Sequence, residues 1–190
     1  MRRRALLLPA AGVLLAAGCS APAAPAPVAA APTSAASTTA ASTTAATASA
    51  APAAPSVPAV LRFSGKTLDG KAFDASTLAG KPTILWFWAP WCATCASEAQ
   101  SVRDLHEVYG DRLNFLGIAG MGKTREMHQF VSDLEVGAVT HLDDQAGKLW
   151  KKFKITEQSL YVVIDRTGKI RSTGYLDDLQ LTAQVKSLVA

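Results

Sequence analysis

Two cysteines three positions apart carry the most distinctive chemistry in this chain. Cys92 and Cys95 lie in the stretch TILWFWAPWCATCASEAQ, between an apolar run and a segment with helical spacing. A cysteine at a helix N-terminus faces free backbone N–H groups and the positive end of the helix dipole, which both favour a thiolate. The second cysteine, about one turn further on, is close enough to attack a mixed disulfide formed by the first. The spacing predicts thiol–disulfide exchange, with Cys92 as the nucleophile and Cys95 as the resolving thiol.

Three other interpretations of the pair are weaker. A zinc site needs three or four ligands, and the three histidines, His106, His128 and His141, show no second paired spacing, so we expect no metal and no cofactor. A peroxidatic P-x-x-x-T-x-x-C motif would require a cysteine at the position of Ser97. A purely structural disulfide would close a loop of only two residues, which constrains little chain.

The elements around the pair are predicted by hydrophobic periodicity. The wholly apolar run TILWFWA is typical of a strand buried on both faces. A helix is predicted from about Cys92 to Tyr109, with Gly110 ending it. LNFLGIAG predicts a second buried strand, and apolar residues at i, i+3, i+4 and i+7 predict an amphipathic helix over 123–135.

Shorter elements complete the predicted domain. LRFSGKTLDGKAFDAS predicts a hairpin that turns at Asp69-Gly70. A short strand near 139–142 and a helical turn over 149–153 follow, and LYVVID and KIRSTGYL predict an antiparallel hairpin before a last amphipathic helix. This order predicts an α/β fold with a central mixed sheet and helices on both faces.

The N-terminal region differs in composition from the rest. Residues 1–18 have three arginines, an apolar stretch and small residues before Cys19, the pattern of a secretory signal peptide. All but two of residues 20–59 are Ala, Pro, Ser or Thr, which predicts that 19–59 form a disordered tether. Residues 60–190 are expected to form one domain. Without residues 1–18 the formal net charge of +4 falls to +1, so nucleic-acid binding is not expected.

The sequence LWFWAPWCATC resembles the active site of the thioredoxin superfamily, a strand followed by W-A-x-W-C-x-x-C. Together with LDG, LAGKP and an extra βα element over 113–134, the resemblance over 60–190 is to the membrane-anchored, extracytoplasmic TlpA-like and DsbE-like branch. It implies a thioredoxin-like fold and a thiol–disulfide oxidoreductase activity. LLAAGC likewise resembles a bacterial lipoprotein signal, which implies lipidation of Cys19 and a domain tethered at the outer face of the plasma membrane, or a secreted one without the lipid.

The resemblance also implies roles for single residues. Trp91 corresponds to the tryptophan that shields the nucleophile and contacts substrate. Pro90, which precedes it, is expected to contact substrate as well. Thioredoxins proper have a buried aspartate at the position of Trp86, whereas the TlpA-like pattern C-x-x-C-x-x-E places Glu98 three residues after Cys95. A partly buried carboxylate there would have a raised pKa and could exchange protons with the resolving thiol.

The opposite wall of the expected site departs from the family. Relatives place a cis-proline before the strand that corresponds to LYVVID, and this chain has Ser159 there. A trans peptide is expected before Ser159, because a cis bond to a non-proline residue costs about 2.5–4 kcal/mol. The Gln158–Ser159 loop is expected to present the substrate. Alternatively, the Ser159 hydroxyl could lie near the sulfurs and donate a hydrogen bond to a thiolate.

The resemblance implies partners but leaves the direction of the reaction open. The substrates would be exported proteins with thiols or disulfides, and a separate redox partner would recycle the pair. Oxidation of exported proteins and dedicated reduction during cytochrome c maturation remain alternatives. A third alternative is a redox-inactive lipoprotein that uses the same fold only for binding.

Overall fold

The computed structural model describes residues 56–190. The predicted signal peptide over 1–18, the lipidation site Cys19 and residues 19–55 of the predicted tether therefore lie outside the described residues. None of the helices within 56–190 combines the length and apolar character that a membrane-spanning helix requires.

The described chain forms a mixed α/β fold, as the sequence predicts. The strands are β1 (Ser64–Lys66), β2 (Ala72–Asp74), β3 (Thr83–Trp88), β4 (Asn114–Ala119), β5 (Thr140–Asp143), β6 (Leu160–Ile164) and β7 (Ile170–Gly174). The helices are α1 (Ala93–Tyr109), α2 (Thr124–Asp133), α3 (Lys148–Lys152) and α4 (Asp178–Val189), with short 3₁₀ turns at Ala59–Leu61 and Ala75–Leu78. The strand β4 and the helix α2 occupy the segment predicted for the extra βα element.

The strands form two sheets, and β3 is the centre of the larger one. β1 and β2 pair as the predicted antiparallel hairpin. The other five strands form a sheet in the order β5-β4-β3-β6-β7. In it β3 is parallel to β4 and antiparallel to β6, so that Trp86 and Tyr161 lie side by side on neighbouring strands.

Side chains on both faces of β3 are buried, because helices cover both sides of the sheet. Ile84, Trp86 and Trp88 belong to a core cluster with residues of α1, α2 and α4. Leu85 and Phe87 belong to a second cluster with residues of α3 and the first 3₁₀ turn. This explains why the strand is an uninterrupted apolar run rather than an alternating one.

Candidate active site

The two cysteines lie where β3 gives way to α1. Cys92 is the N-cap of the helix, and its sulfur accepts the backbone N–H of Cys95 at 3.0 Å. The two sulfurs are joined in a disulfide, with the Cα atoms 5.2 Å apart. Cys92 retains a small exposed fraction of 5%, whereas Cys95 is completely buried. Cys92 also lines a groove at the surface, beside Trp91, and this groove offers a route for an external thiolate to Cys92.

Glu98 lies one turn after Cys95 and is buried, with both carboxylate oxygens hydrogen-bonded. The Trp86 indole N–H donates to Oε2 at 2.8 Å, and the Ser159 hydroxyl donates to Oε1 at 2.5 Å. Trp86 thus stands at the position of the thioredoxin aspartate and holds a carboxylate that comes from the helix. Burial raises the pKa of Glu98, although the hydrogen bonds from Ser159 and Trp86 partly oppose the rise.

Ser159 directly precedes β6 and is buried, and its hydroxyl donates its hydrogen bond to Glu98. The alternative expectation, a hydrogen bond from this hydroxyl to a cysteine thiolate, concerns the reduced form and stays a prediction. In the disulfide form the hydroxyl donates to the carboxylate instead. The physical reason is that a hydroxyl has a single proton and a carboxylate is a far stronger acceptor than a sulfur. The backbone of Ser159 has a φ of 66° and its N–H donates to the Phe87 carbonyl at 2.9 Å. These bonds fix the loop that contains Gln158 against the end of β3.

Trp91 is 57% exposed, and its ring is anchored by the loop after β4. The indole N–H donates to the Met121 carbonyl at 2.6 Å, and Met121 itself has a left-handed φ of 55°. The next residue, Gly122, packs so closely on Pro90 that a Cβ there would overlap the proline ring. The loop therefore holds the exposed tryptophan beside Cys92, a support that the sequence alone does not predict.

Tyr161 is a further buried residue of this site that the sequence analysis does not single out. It lies two residues after Ser159 on β6, beside Trp86, and is completely buried. Within residues 56–190, its hydroxyl has no hydrogen-bond partner. Burial and the negative charge of Glu98 raise the pKa of this tyrosine, which is therefore a neutral donor. The tyrosine inside the apolar run LYVVI is the sequence feature that could have indicated a buried hydroxyl here.

His141 is buried beneath the same aromatic cluster and is held as a neutral ring. The Trp88 indole N–H donates to Nδ1 at 3.2 Å, so the ring proton lies on Nε2, which contacts the Val136 carbonyl at 3.1 Å. Burial lowers the pKa of His141 from 6.5 to about 4. The histidine therefore serves as a packing residue of the core rather than as a ligand.

We expect the neutral state of His141 to make the fold sensitive to mild acid. The unfolded chain binds a proton at this residue below pH 6.5, whereas the native protein does so only near pH 4. Stability from this residue is thus complete above pH 6.5 and is lost as the pH falls toward 4. Urea denaturation of the oxidised protein should show the free energy of unfolding falling by about 2 kcal/mol between pH 7 and pH 5.

Glu98 has the opposite effect on the free energy of unfolding, because its raised pKa makes the native protein bind a proton there more tightly than the unfolded chain does. This contribution raises the stability as the pH falls. The experiment is therefore done in a Glu98→Gln background, which removes that contribution. A free energy of unfolding that stays constant between pH 7 and pH 5 would show that His141 is not held neutral.

Within residues 56–190, no three His, Cys, Asp or Glu side chains come together as metal ligands. The site consists instead of a disulfide at a helix N-terminus, a buried carboxylate behind it and an exposed tryptophan beside it. Ser97 lies on the exposed side of α1, where its hydroxyl donates to the Ala93 carbonyl at 3.3 Å.

Comparison with known proteins places these features in a family. The model of the AhpC/TSA family matches residues 57–173. The soluble secreted antigen MPT53 of Mycobacterium tuberculosis is 35% identical over 108 residues, which cover 57% of this chain and 61% of that protein. The match thus spans less than two thirds of the length of these curated relatives.

Two solved structures match nearly their whole length. The structure of MTB dsbF in its mixed oxidized and reduced forms is 40% identical, with a TM-score of 0.65, over 70% of this chain and 98% of that one. A secreted Mycobacterium tuberculosis disulfide oxidoreductase homologous to E. coli DsbE is 32% identical, with a TM-score of 0.62, over 68% and 98%. These matches confirm the predicted thioredoxin-like fold.

Proposed function

Because this chain belongs to the AhpC/TSA family of the thioredoxin superfamily, we propose that it is a thiol–disulfide oxidoreductase that acts through Cys92 and Cys95. One observation carries the proposal: the disulfide lies at the start of α1, with Cys92 lining a surface groove and Cys95 completely buried. A structural disulfide has no need of a surface groove at one of its cysteines. The names of the relatives, which include disulfide oxidoreductases, support the same activity.

The oxidised form accepts two electrons in two steps. A substrate thiolate attacks Cys92 Sγ, the bond between Cys92 and Cys95 breaks, and Cys95 leaves as a thiolate that takes a proton from Glu98. A second substrate thiolate then attacks the substrate sulfur of the mixed disulfide, which forms a substrate disulfide and releases the Cys92 thiolate. In the reverse direction, Cys92 attacks a substrate disulfide, and Glu98 removes the proton from Cys95 before Cys95 attacks the sulfur of Cys92.

The surroundings match the demands of these steps. The N–H of Cys95 and the dipole of α1 stabilise the Cys92 thiolate when it leaves. Burial raises the pKa of Glu98, so this carboxyl holds a proton more readily than an exposed one and can exchange it with Cys95. Trp91 and Pro90 line the groove at Cys92, and we propose that they and the Gln158–Ser159 loop present the substrate. The buried, fully hydrogen-bonded carboxylate favours catalysis over the alternative of a redox-inactive binding protein.

We further propose that the protein works outside the cytoplasm on exported proteins and depends on a separate partner to recycle the pair. The relatives that include a secreted antigen and DsbE support an extracytoplasmic location. The signal pattern over 1–18 and Cys19 adds a lipid anchor in the bacterial cell envelope, with 19–59 as the tether and 60–190 as the active domain. Mass spectrometry of the mature N-terminus tests the anchor, because an unmodified Cys19 or a different first residue would exclude it.

The order of attack is tested by trapping the mixed disulfide. In Cys95→Ser the resolving thiol is absent, so we expect Cys92 to accumulate as a stable adduct with glutathione, seen as a mass increase that dithiothreitol reverses. Both variants also carry Cys19→Ser, which removes the third cysteine, and Cys92→Ser should then accumulate far less adduct, because Cys95 is completely buried. Equal adduct formation by the two variants would contradict the assignment of Cys92 as the nucleophile.

A further inference from the structure

Exposed apolar side chains are concentrated around Cys92. Within residues 56–190, the large apolar side chains that stay exposed are Trp91, Val108, Met121, Ile170, Tyr175 and Leu179. Four of them lie near the start of α1: Trp91 and the loop residue Met121 on one side, and Tyr175 and Leu179 on the other. Exposed apolar groups of this kind gather at surfaces that bind another molecule.

A groove of about 440 Å³ runs between the start of α1 and the exposed side of α2. We call it the first groove. Cys92 and Trp91 lie at one end of it, and Phe130 contributes an apolar wall. Its charged lining residues are Glu126 and Asp133, both acidic.

A second groove, of about 350 Å³, lies on the other side of α1. The exposed Tyr175 and Leu179 border it, and Asp177 and Asp178, the N-cap and first residue of α4, contribute its acidic side chains. Glu98 lies at its inner end, and the charge of Asp178 contributes to the raised pKa of that residue. The first turns of α1 thus separate two grooves: the first reaches Cys92 itself, and the second reaches Thr94 and Glu98, two and six residues further along the chain.

All the charged side chains that line the two grooves are acidic, and neither groove has a lysine or arginine in its lining. Lys123 and Arg125, at the start of α2, lie outside the lining of the first groove. Arg103, on α1, is paired with Asp104 and Glu135. A cationic polypeptide therefore meets complementary charge on both sides of the first turns of α1, the helix whose N-cap is Cys92.

We propose that the two grooves bind a cationic, extended segment of the substrate polypeptide, with the substrate cysteine at Cys92 and lysine or arginine near it on either side. This inference rests on the proposed function and names the substrate class of the same site. Apolar side chains next to the cysteine would contact Trp91 and Phe130 in one groove and Tyr175 and Leu179 in the other. The carboxylates steer and align the segment, and the apolar contacts hold it.

Three short cysteine peptides test the proposal. They share leucines beside the cysteine and carry two lysines, two glutamates or two serines outside them. The second-order rate constant for attack on the oxidised protein is divided by that of the same peptide with hydroxyethyl disulfide, a neutral reagent, which cancels differences in thiol reactivity. At low salt the normalised rate should be at least about fivefold higher for the lysine peptide than for the glutamate peptide, and this ratio should approach one in 1 M salt.

Matched variants locate the effect. Asp133→Asn and Asp178→Asn should each lower the lysine-to-glutamate ratio by about twofold. Asp111→Asn, which makes the same charge change on an exposed residue outside both grooves, should leave the ratio unchanged. Leu179→Ser should slow all three peptides alike, whereas Val108→Ser, on the far end of α1, should not.

The outcomes separate the two levels of the proposal. If the protein reacts with all three peptides at equal normalised rates, the cationic substrate class is wrong and the oxidoreductase activity stands. A ratio that Asp111→Asn lowers as much as Asp133→Asn would also overturn the assignment to the grooves. If the oxidised protein reacts with none of the peptides, the proposed function itself is wrong.

Discussion

Replacing Cys92 by serine is expected to reduce the rate of disulfide exchange by at least about a thousandfold. A hydroxyl is not ionised near neutral pH and cannot replace a thiolate as nucleophile or leaving group. The variant should stay folded, because serine is a good N-cap and can accept the Cys95 N–H as the sulfur does. Loss of a disulfide that closes so short a loop costs at most about 2 kcal/mol in the chain-entropy estimate.

The measurement is the rate at which the protein oxidises or reduces a small thiol–disulfide reporter, with circular dichroism to confirm the fold. Cys19→Ser is the matched control, since it removes a thiol outside the candidate site and should exchange at the wild-type rate. Exchange by Cys92→Ser within tenfold of wild type would mean that the reactive sulfur has been wrongly assigned.

Glu98→Gln should slow the steps that move a proton to or from Cys95 by about ten- to a hundredfold. Glutamine has nearly the same shape, and its amide oxygen can accept from Trp86 while its N–H₂ donates to Ser159. The variant therefore keeps the hydrogen bonds and loses only the exchangeable proton. In the wild type the rate at which Cys95 resolves a mixed disulfide should rise with pH as Glu98 ionises, and in Glu98→Gln this inflection should be absent.

Stopped-flow tryptophan fluorescence between pH 5 and pH 8 measures both the rate and its pH dependence. Glu107→Gln, an exposed carboxylate near the end of the same helix, is the control and should leave the profile unchanged. A Glu98→Gln profile that keeps the wild-type rate and inflection would assign Glu98 a purely structural role.

The position of the cysteine pair at a strand–helix junction could be predicted from the sequence because its signals are local. The apolar run of β3, the cysteine spacing and the helical periodicity of α1 lie within 30 residues of chain. The position of Glu98 followed from the same helix, because residues three apart share a face. The mixed sheet followed from the alternation of strands and helices.

The hydrogen bonds that define the site could not be predicted, because they join distant segments. Glu98 is 12 residues from Trp86 and 61 from Ser159, and only the packed sheet brings the three together. From the sequence, Ser159 only replaces an expected proline, whereas in the folded protein its hydroxyl also donates a hydrogen bond to the Glu98 carboxylate. The hydrogen bond from the Trp91 indole to the Met121 carbonyl likewise depends on the left-handed backbone of Met121 in a loop, which sequence periodicity does not predict.

A glutathione titration of the purified protein shows whether Cys92 and Cys95 form a reversible redox couple, as we propose. The fraction oxidised, followed by tryptophan fluorescence across ratios of reduced to oxidised glutathione, should fit one two-electron transition. A potential well below about −200 mV would favour a reductase, and a clearly higher one would favour an oxidase. A pair that stays oxidised or reduced at every ratio, with no exchange on any accessible timescale, would contradict the account.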